Sequence, residues 1–212
     1  MRGPFVLGVL FLLAGIAGLM TGCFPNIGAA SRPTQFYVLN SLKDMDTGTA
    51  APTTTFVSDA PVGVGPVRIP QYLNRPHIVI RSEENQVRIS TFSYWAESLT
   101  DNLTRVIVDN LSILLKPTRV AALPWVRPAE GAHRIEVSVI RFDGDFGTTA
   151  TLRARWTIIA EKGDRELLSK ESTFSEPVKG PEMADLVSAL SRTVADFSRE
   201  IAGAVAALEI RR

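Results

Sequence analysis

The stretch "HRIEVSVIRFDGDFGTTATLRARWTIIA", residues 133–160, decides the fold. Apolar and polar residues alternate from Ile135 to Val139 and again from Leu152 to Ile158. Alternation with a period of two is typical of a half-buried β-strand, and the Asp-Gly pair between the two runs favours a turn. The sequence therefore predicts two strands, 133–146 and 148–160, joined as an antiparallel hairpin.

The chain after this hairpin continues the pattern and then changes its period. The turn "EKGDR" leads into a third strand at 166–177, so the three strands are predicted to form an antiparallel meander. Beyond it, residues 183–208 carry apolar side chains at helical spacing, which predicts a long helix. Its stripe consists of Leu186, Val187, Leu190, Val194, Phe197, Ile201, Val205 and Leu208.

A second apolar stripe at helical spacing precedes the hairpin and predicts a helix from Ser93 to Leu115. Ser93 can cap this helix and Pro117 can end it. Trp95 then stands at the helix start, either buried against the sheet or turned toward a partner. The stripe consists of Leu99, Leu103, Val106, Ile107, Leu111 and Leu114. A short strand is predicted at 119–123.

The N-terminal third of the chain contains β-branched and aromatic runs between turn residues. Residues 40–60 are small and polar, which predicts a long loop. The predicted strands are 34–39, a short piece at 56–57, 62–70 with an interruption at Gly65-Pro66, and a hairpin of 77–81 with 86–90. Together the elements predict an α/β domain, in which a mixed sheet of about six strands packs against two long helices.

Composition limits the classes of function that this chain can have. The 212 residues include 23 basic and 22 acidic side chains, so no large electrostatic footprint for nucleic acid is expected. The length after an N-terminal signal suits a single domain, predicted at 34–212. The chain contains one cysteine, Cys23, which excludes an intramolecular disulfide and a cysteine metal site.

The motifs that carry enzyme chemistry are poorly matched. "GVGPVR" at 63–68 lacks the final glycine of a phosphate loop and precedes a strand. His77 and His133 have no clustered cysteine or carboxylate nearby in sequence, so metal ligation is not predicted. "FDGDF" at 142–146 is typical of a turn. No nucleophile elbow is present, and the sequence predicts no enzyme and no cofactor besides covalent lipid.

One loop has a composition suited to contact with a partner. "IPQYLNRP", residues 69–76, places Tyr72, Leu73 and Arg75 between two prolines. Aromatic and arginine side chains dominate the energetics of many interfaces. These three residues and Trp95 are therefore candidate partner-binding residues. The alternative is a structural turn with Tyr72 and Leu73 folded inward.

The N-terminus has the organisation of an export signal. Arg2 supplies a positive charge, and residues 5–19 form an uncharged apolar run. The run is shorter than the roughly 20 residues needed to span a bilayer. Small residues at Thr21 and Gly22 give a protease room. Residues 1–22 are therefore predicted to be a signal peptide, with a transmembrane anchor as the alternative.

The end of this signal, Leu19-Met20-Thr21-Gly22-Cys23, resembles a bacterial lipobox, with Met20 in place of the usual Leu. The resemblance implies cleavage before Cys23, a thioether to diacylglycerol and N-acylation with a fatty acid such as palmitate. The lone cysteine is then a lipid attachment point, and several acyl chains suffice for stable anchoring.

Residues 23–33 read as the lipidated tether, because their prolines and glycine discourage regular structure. Phe24 follows the cysteine. In enteric-type bacteria, an Asp at that place tends to retain lipoproteins at the inner membrane, so the absence of Asp resembles an outer-membrane address.

A set of motifs across the chain resembles the ABC-type transport auxiliary lipoproteins, the PqiC-like family. Tyr94 and Ser98 stand where that family often has Arg and Pro. The motifs are the lipobox, "QFYVL" at 35–39, "VGVGPVRIPQYLNRPHIVIR" at 62–81, "YWAESL" at 94–99, "VIRFDGDF" at 139–146, "LRARWTII" at 152–159 and "SEPVKGP" at 175–181.

The resemblance implies an outer-membrane lipoprotein that faces the periplasm and supports membrane integrity. Its partners would be an MCE-domain protein and an ABC or other membrane permease, which together move lipids between the membranes. The implied fold is similar to the anticodon-binding-like fold of the TolB N-terminal domain. A homo-oligomeric ring fits such a system, because MCE tubes are cyclic. The alternative is a structural or pilotin-like lipoprotein of another envelope machine.

Overall fold

The structure is a computed structural model that describes residues 32–45, 55–125, 130–160, 162 and 164–210. The signal peptide, Cys23 and all but the last two residues of the predicted tether lie outside the described residues. Every described helix and strand belongs to one compact unit, Thr34–Arg212.

The residues that the structure describes form ten strands and three helices. In chain order they are β1 Gln35–Tyr37, α1 Leu42–Met45, β2 Phe56–Ser58, β3 Val62–Arg68, β4 His77–Glu83, β5 Gln86–Trp95, α2 Leu99–Leu114, β6 Leu115–Pro117, β7 Val120–Ala122, β8 His133–Gly144, β9 Thr149–Ala160, β10 Arg165–Pro177 and α3 Met183–Ile210.

The predicted meander forms one side of a five-stranded sheet with the order β10-β9-β8-β3-β7. The β8-β9 and β9-β10 pairs are antiparallel, and β3 is parallel to both β8 and β7. Two smaller sheets, β1-β5-β4 and β2-β6, accompany it. The mixed α/β class and the two long helices are confirmed. The strand count differs from the predicted single sheet of about six strands, because β1, β5 and β4 form a sheet of their own and β2 pairs with β6.

The core fills the space between the five-stranded sheet and the helices α2 and α3. Val137 on β8 lies opposite Trp156 on β9, and both side chains are buried. The Trp156 ring meets Phe197 of α3 edge to face, with 6.3 Å between centroids. Its indole N–H donates to Ser172 Oγ at 3.1 Å, which satisfies the buried donor. The period-two and helical stripes therefore meet as predicted.

The helix α2 begins later than predicted. Its N-cap is Ser98, whose Oγ accepts a hydrogen bond from the Asp101 amide at 3.1 Å. Ser93 lies in β5, opposite Gln35 of β1, so the predicted Ser93 cap is wrong. The run up to Trp95 pairs as a strand because its aromatic and β-branched residues fit a pleated surface. The helix ends at Leu114, before the predicted end and ahead of Pro117.

Replacing Ser98 with alanine tests this corrected start. The variant should lose about 1 kcal/mol of unfolding free energy, because the Asp101 amide loses its acceptor in the first turn. Urea denaturation would measure the loss. Ser93→Ala is the matched control, and it should change the midpoint less. Equal or reversed losses would contradict the Ser98 cap.

The strand β3 continues through the predicted interruption at Gly65-Pro66. Gly65 has φ of +133°, a conformation that side chains with a Cβ rarely adopt. The register against β8 shifts between Val64 and Val67, which absorbs this irregularity. The strand therefore bends without ending.

The chain enters the domain through a segment that both long helices hold by its backbone. The Leu39 amide donates to Asn102 Oδ1 at 3.1 Å, and the Leu42 amide donates to Asn110 Oδ1 at 2.7 Å, both on α2. The Asn40 amide donates to Ser191 Oγ of α3 at 3.1 Å. We call residues Leu39–Leu42 the backbone latch. The short helix α1 follows inside the segment that the sequence predicts as loop.

Candidate partner-binding loop

The loop 69–76 joins β3 to β4 and is held by its own turns. The amide of Leu73 donates to the Pro70 carbonyl at 3.0 Å, and that of Asn74 donates to the Gln71 carbonyl at 3.2 Å. The Trp95 amide at the end of β5 donates to the Pro76 carbonyl at 2.7 Å. These bonds give the loop a defined shape before any partner binds.

Two of the four candidate partner-binding residues belong to the core. Leu73 is 2% exposed and Trp95 is 5% exposed. The Trp95 ring stacks on Phe142, with 6.5 Å between centroids. Neither side chain is available to a partner in this conformation. Leu73 takes the inward arrangement that the sequence left as the alternative, and Trp95 takes the buried position that the sequence favoured over a partner-facing one.

The other two candidates lie at the boundary between core and solvent. Tyr72 is half-buried, and its hydroxyl donates to Asp143 Oδ2 at 3.1 Å. Arg75 is partly exposed, and its Nε donates to the Tyr72 carbonyl at 2.8 Å. The loop is thus tied down over a buried carboxylate.

This carboxylate, Asp143, lies near the end of β8 and is completely buried. Arg81 of β4 binds it in bidentate fashion, with Nε to Oδ1 and Nη2 to Oδ2 both at 2.8 Å. Arg141 adds a bond from Nε to Oδ1 at 2.7 Å. We call Asp143, Arg81, Arg141 and Tyr72 the aspartate clasp. It joins the loop and β4 of the three-stranded sheet to β8 of the five-stranded sheet.

In the clasp two guanidinium groups share one carboxylate through direct hydrogen bonds. Burial by itself would raise the pKa of Asp143, but hydrogen bonds from Arg81 and Arg141 outweigh it and hold that pKa below its usual value. The hydrogen bond with Asp143 raises the pKa of Arg81. Burial, followed by the Asp143 charge, raises the pKa of Tyr72, so its hydroxyl remains a donor. The clasp therefore acts as a structural ion cluster.

The sequence did not predict the aspartate clasp, because "FDGDF" at 142–146 is typical of a turn. The register between β8 and β9 shifts between Val139 and Arg141. That shift puts Phe142 toward the core and turns Arg141 and Asp143 to the other face of the sheet. The one local signal was the spacing of Arg141 and Asp143, two apart on a strand and so on one face.

The outward side of the loop consists of the candidate Arg75 and three residues that the sequence did not single out. Gln71, Asn74 and Pro76 are exposed, and part of Arg75 lies beside them. We call these four residues the loop crest. The buried side of the same loop is occupied by Leu73, so the crest is a rigid surface with a fixed orientation.

Comparison with known proteins adds what geometry alone does not give. The family model of the ABC-type transport auxiliary lipoprotein component matches residues 37–202, more than half of the chain. The chain belongs to this family. The family comprises transport auxiliary lipoproteins and is not a known enzyme class. The matched residues include the loop, the aspartate clasp, all of α2 and the part of α3 up to Ala202.

Solved structures share the fold of this auxiliary lipoprotein. One is an uncharacterized protein, with 19% identity and a TM-score of 0.66 over 82% of this chain and 99% of that one. Another is a protein from Xanthomonas campestris, with 16% identity and a TM-score of 0.65 over 83% of this chain and 97% of that one. At such identities the likeness shows the fold alone. No curated protein matches the sequence.

The auxiliary lipoprotein also has a cleft of about 490 Å³ beside the β3 bend, of a size suited to a small ligand. One wall is apolar and includes Val67 of β3. The other wall is the exposed side of α2, with Asp101, Arg105 and Asp109. Arg105 is paired with Asp109 of the same wall at 3.8 Å and with Glu97, outside the lining, at 3.0 Å.

Neither histidine lies in a metal-binding cluster within the described ranges, where no group of three or more potential ligand side chains occurs. The His77 ring packs on Tyr94 with 4.3 Å between centroids, and buried His133 lies 3.2 Å from Glu209 Oε1. Among the helices that the structure describes, none is long and apolar enough to cross a membrane.

Proposed function

We propose that this auxiliary lipoprotein docks the periplasmic MCE assembly of a lipid transport system at the outer membrane. The match to the ABC-type transport auxiliary lipoprotein component carries the proposal. The MCE partner, the lipid cargo and a homo-oligomeric ring extend it, on the motifs that resemble the PqiC-like family. Phe24 after the cysteine supports the outer-membrane address.

Covalent lipid on Cys23 would hold the domain at the membrane. Each buried methylene contributes about 0.8 kcal/mol, and stable anchoring takes two signals or more, which three acyl chains exceed. The tether 23–33 would let the domain move over a few nanometres, at about 3.3–3.6 Å per residue when extended. The role of the chain is therefore to bind and to hold, with no chemical step assigned to it.

The loop crest is the surface that we propose for the transport partner. A loop fixed in one shape loses little conformational entropy on binding, which favours affinity. The Tyr72 bond to Asp143 and the Trp95 bond to Pro76 hold its two ends. The exposed side chains of Gln71 and Asn74 supply polar contacts that fix the orientation of the bound partner.

A crosslinked pull-down from intact envelopes, read by mass spectrometry, tests this function. An MCE-domain protein is expected to dominate the captured partners. In the Asn74→Arg variant, its yield should fall at least tenfold, because a bulky cation replaces a small amide at the centre of the crest. Ser169→Arg on β10 is the matched control and should keep the yield.

The identity of the captured partner decides between functions. A secretin or a peptidoglycan machine in place of the MCE protein would contradict the transport proposal and favour the pilotin-like alternative. Capture of the MCE protein with no effect of Asn74→Arg would leave the function standing and exclude the crest as its surface.

A further inference from the structure

The small sheet β1-β5-β4 exposes apolar side chains on β1 and β5, whereas Ile78, Val79 and Ile80 bury both faces of the middle of β4. Trp95 lies on the inner face and is buried. On the outer face Phe36, Tyr94 and His77 occupy neighbouring positions on the three strands. Their rings form a continuous row, with centroid distances of 5.7 Å and 4.3 Å. We call these three residues the aromatic row.

The solvent side of a sheet with one exposed face is normally polar, but the exposed side chains of β1 and β5 here include large apolar residues. Phe36 is 66% exposed, and Phe92, two residues before Tyr94 on β5, is 40% exposed. Five of the eight exposed large hydrophobic residues that the structure describes lie on this sheet or next to it. They are Phe36, Val38, Val87, Ile89 and Phe92. Such a concentration marks an interaction surface.

The position of the row in the chain indicates what covers it. The family is one of lipoproteins, and Cys23 is the chain's only cysteine. Phe36 follows it by thirteen residues, which span about 45 Å at most and about 20 Å on average for a flexible chain. The small sheet contains β1, the first strand after the anchor. A bilayer that holds the lipid is therefore always within reach of the row.

The charges around the row suit a phospholipid surface. Glu83 and Glu84 lie at the turn between β4 and β5, at the other end of the hairpin, about 20 Å along β4 from His77. Glu97, just beyond β5, is paired with Arg105 at 3.0 Å. The row can thus approach headgroups while the turn carboxylates stay away from an anionic surface.

We propose that the aromatic row docks on the headgroup layer of the membrane that carries the lipid anchor. This inference rests on the anchor at Cys23 in the proposed function. Phenol rings favour the interface between headgroups and acyl chains, and exposed phenylalanines bury apolar area at the same depth. The loop crest ends at Pro76, directly before His77, so docking places the crest beside the bilayer, where the outer end of a periplasmic assembly would meet it.

The acylated mature lipoprotein, reconstituted into vesicles of phosphatidylethanolamine and phosphatidylglycerol, tests the proposal. Because Cys23 is acylated, a second cysteine is the only free thiol for a fluorophore. Val38→Cys places the label at an exposed position two residues after Phe36, and Ser169→Cys places it on β10 as control. Headgroup-nitroxide lipid should quench the Val38→Cys label at least threefold more. Adding Phe36→Ser and Phe92→Ser, both at exposed positions, should bring the ratio close to one.

The outcomes separate the docking from the anchor. Flotation of the protein with the vesicles reports the anchor, and its absence would overturn both the anchor and the docking. Flotation with equal quenching at the two labels would overturn the docking alone. In that case the tether holds the domain at the vesicle, but no fixed face of the domain is turned toward the bilayer. Unequal quenching that survives the two Phe→Ser changes would also overturn the role of the row.

Discussion

Replacement of Asp143 with alanine should lower the free energy of unfolding by about 3–5 kcal/mol, the cost of breaking a buried ion pair. The change leaves Arg81 and Arg141 facing each other without their shared carboxylate, and it takes the acceptor from the Tyr72 hydroxyl. A loss of this size should shift the midpoint of urea denaturation substantially at an unchanged slope. The loop 69–76 should also lose order, because its tie to β8 is gone.

Glu171 on β10 provides a control, because it also binds two arginines but lies in a more exposed environment. It also accepts bonds from two arginines, Arg153 at 2.6 Å and Arg155 at 3.0 Å, but the ion pairs lie on the exposed face of the sheet. Water screens such pairs, so Glu171→Ala should change stability little. Equal losses in the two variants would show that burial does not set the strength of the aspartate clasp.

The aspartate clasp also makes stability depend on pH in a defined direction. The pKa of Asp143 is lower in the folded chain than the value near 3.9 of an unfolded aspartate. Its contribution is therefore complete above about pH 5 and is lost as the pH falls through the folded pKa. In acid titrations followed by circular dichroism, Asp143→Asn should remove this part of the loss. An unchanged acid profile would assign the loss to other carboxylates.

Cys23→Ser should abolish lipid attachment completely. No other cysteine is present to accept diacylglycerol, and cleavage in this class of signal follows lipidation. The variant should accumulate as an uncleaved precursor without label from a radioactive fatty acid, while the wild type is shortened and labelled. Gel mobility and autoradiography measure both effects.

Ser31→Ala, in the same tether, is the control for Cys23→Ser and should be processed and labelled like the wild type. Normal processing and labelling of Cys23→Ser would exclude the lipid anchor. It would also remove the anchor from the proposed function and from the docking of the aromatic row.

The fold could be predicted where a single period continues over a long run. Strands β8 to β10 and helix α3 have stripes of a dozen residues or more, and their pairing follows from short turns. The start of α2 could not, because Ser93 and Ser98 both suit an N-cap and the residues between them suit a strand. The pairing of the end of β5 with β1 and β4 decides between the two serines, and the contact with β1 is distant in sequence.

The candidate site depended even more on distant contacts. Arg81 and Asp143 are 62 residues apart, and their meeting requires the β8 register shift that no local pattern announces. The loop itself could be predicted from its prolines and its aromatic residue. The sequence could not predict which side chains of the loop face outward, because the alternation of a strand does not apply to a loop. The inward turn of Leu73 depends on the core beneath it.

The backbone latch would have a mechanical consequence in the proposed tethered state. Tension from a lipid anchor at Cys23 would enter the domain at its N-terminus, through β1 and then Leu39–Leu42. Because β1 is parallel to β5, tension along the strand loads its ladder bonds in shear and does so simultaneously. Behind β1, amides of the latch are bonded to Asn102 and Asn110 of α2 and to Ser191 of α3. Tension is thereby shared between helices α2 and α3, so the hydrogen bonds of β1 do not bear it alone.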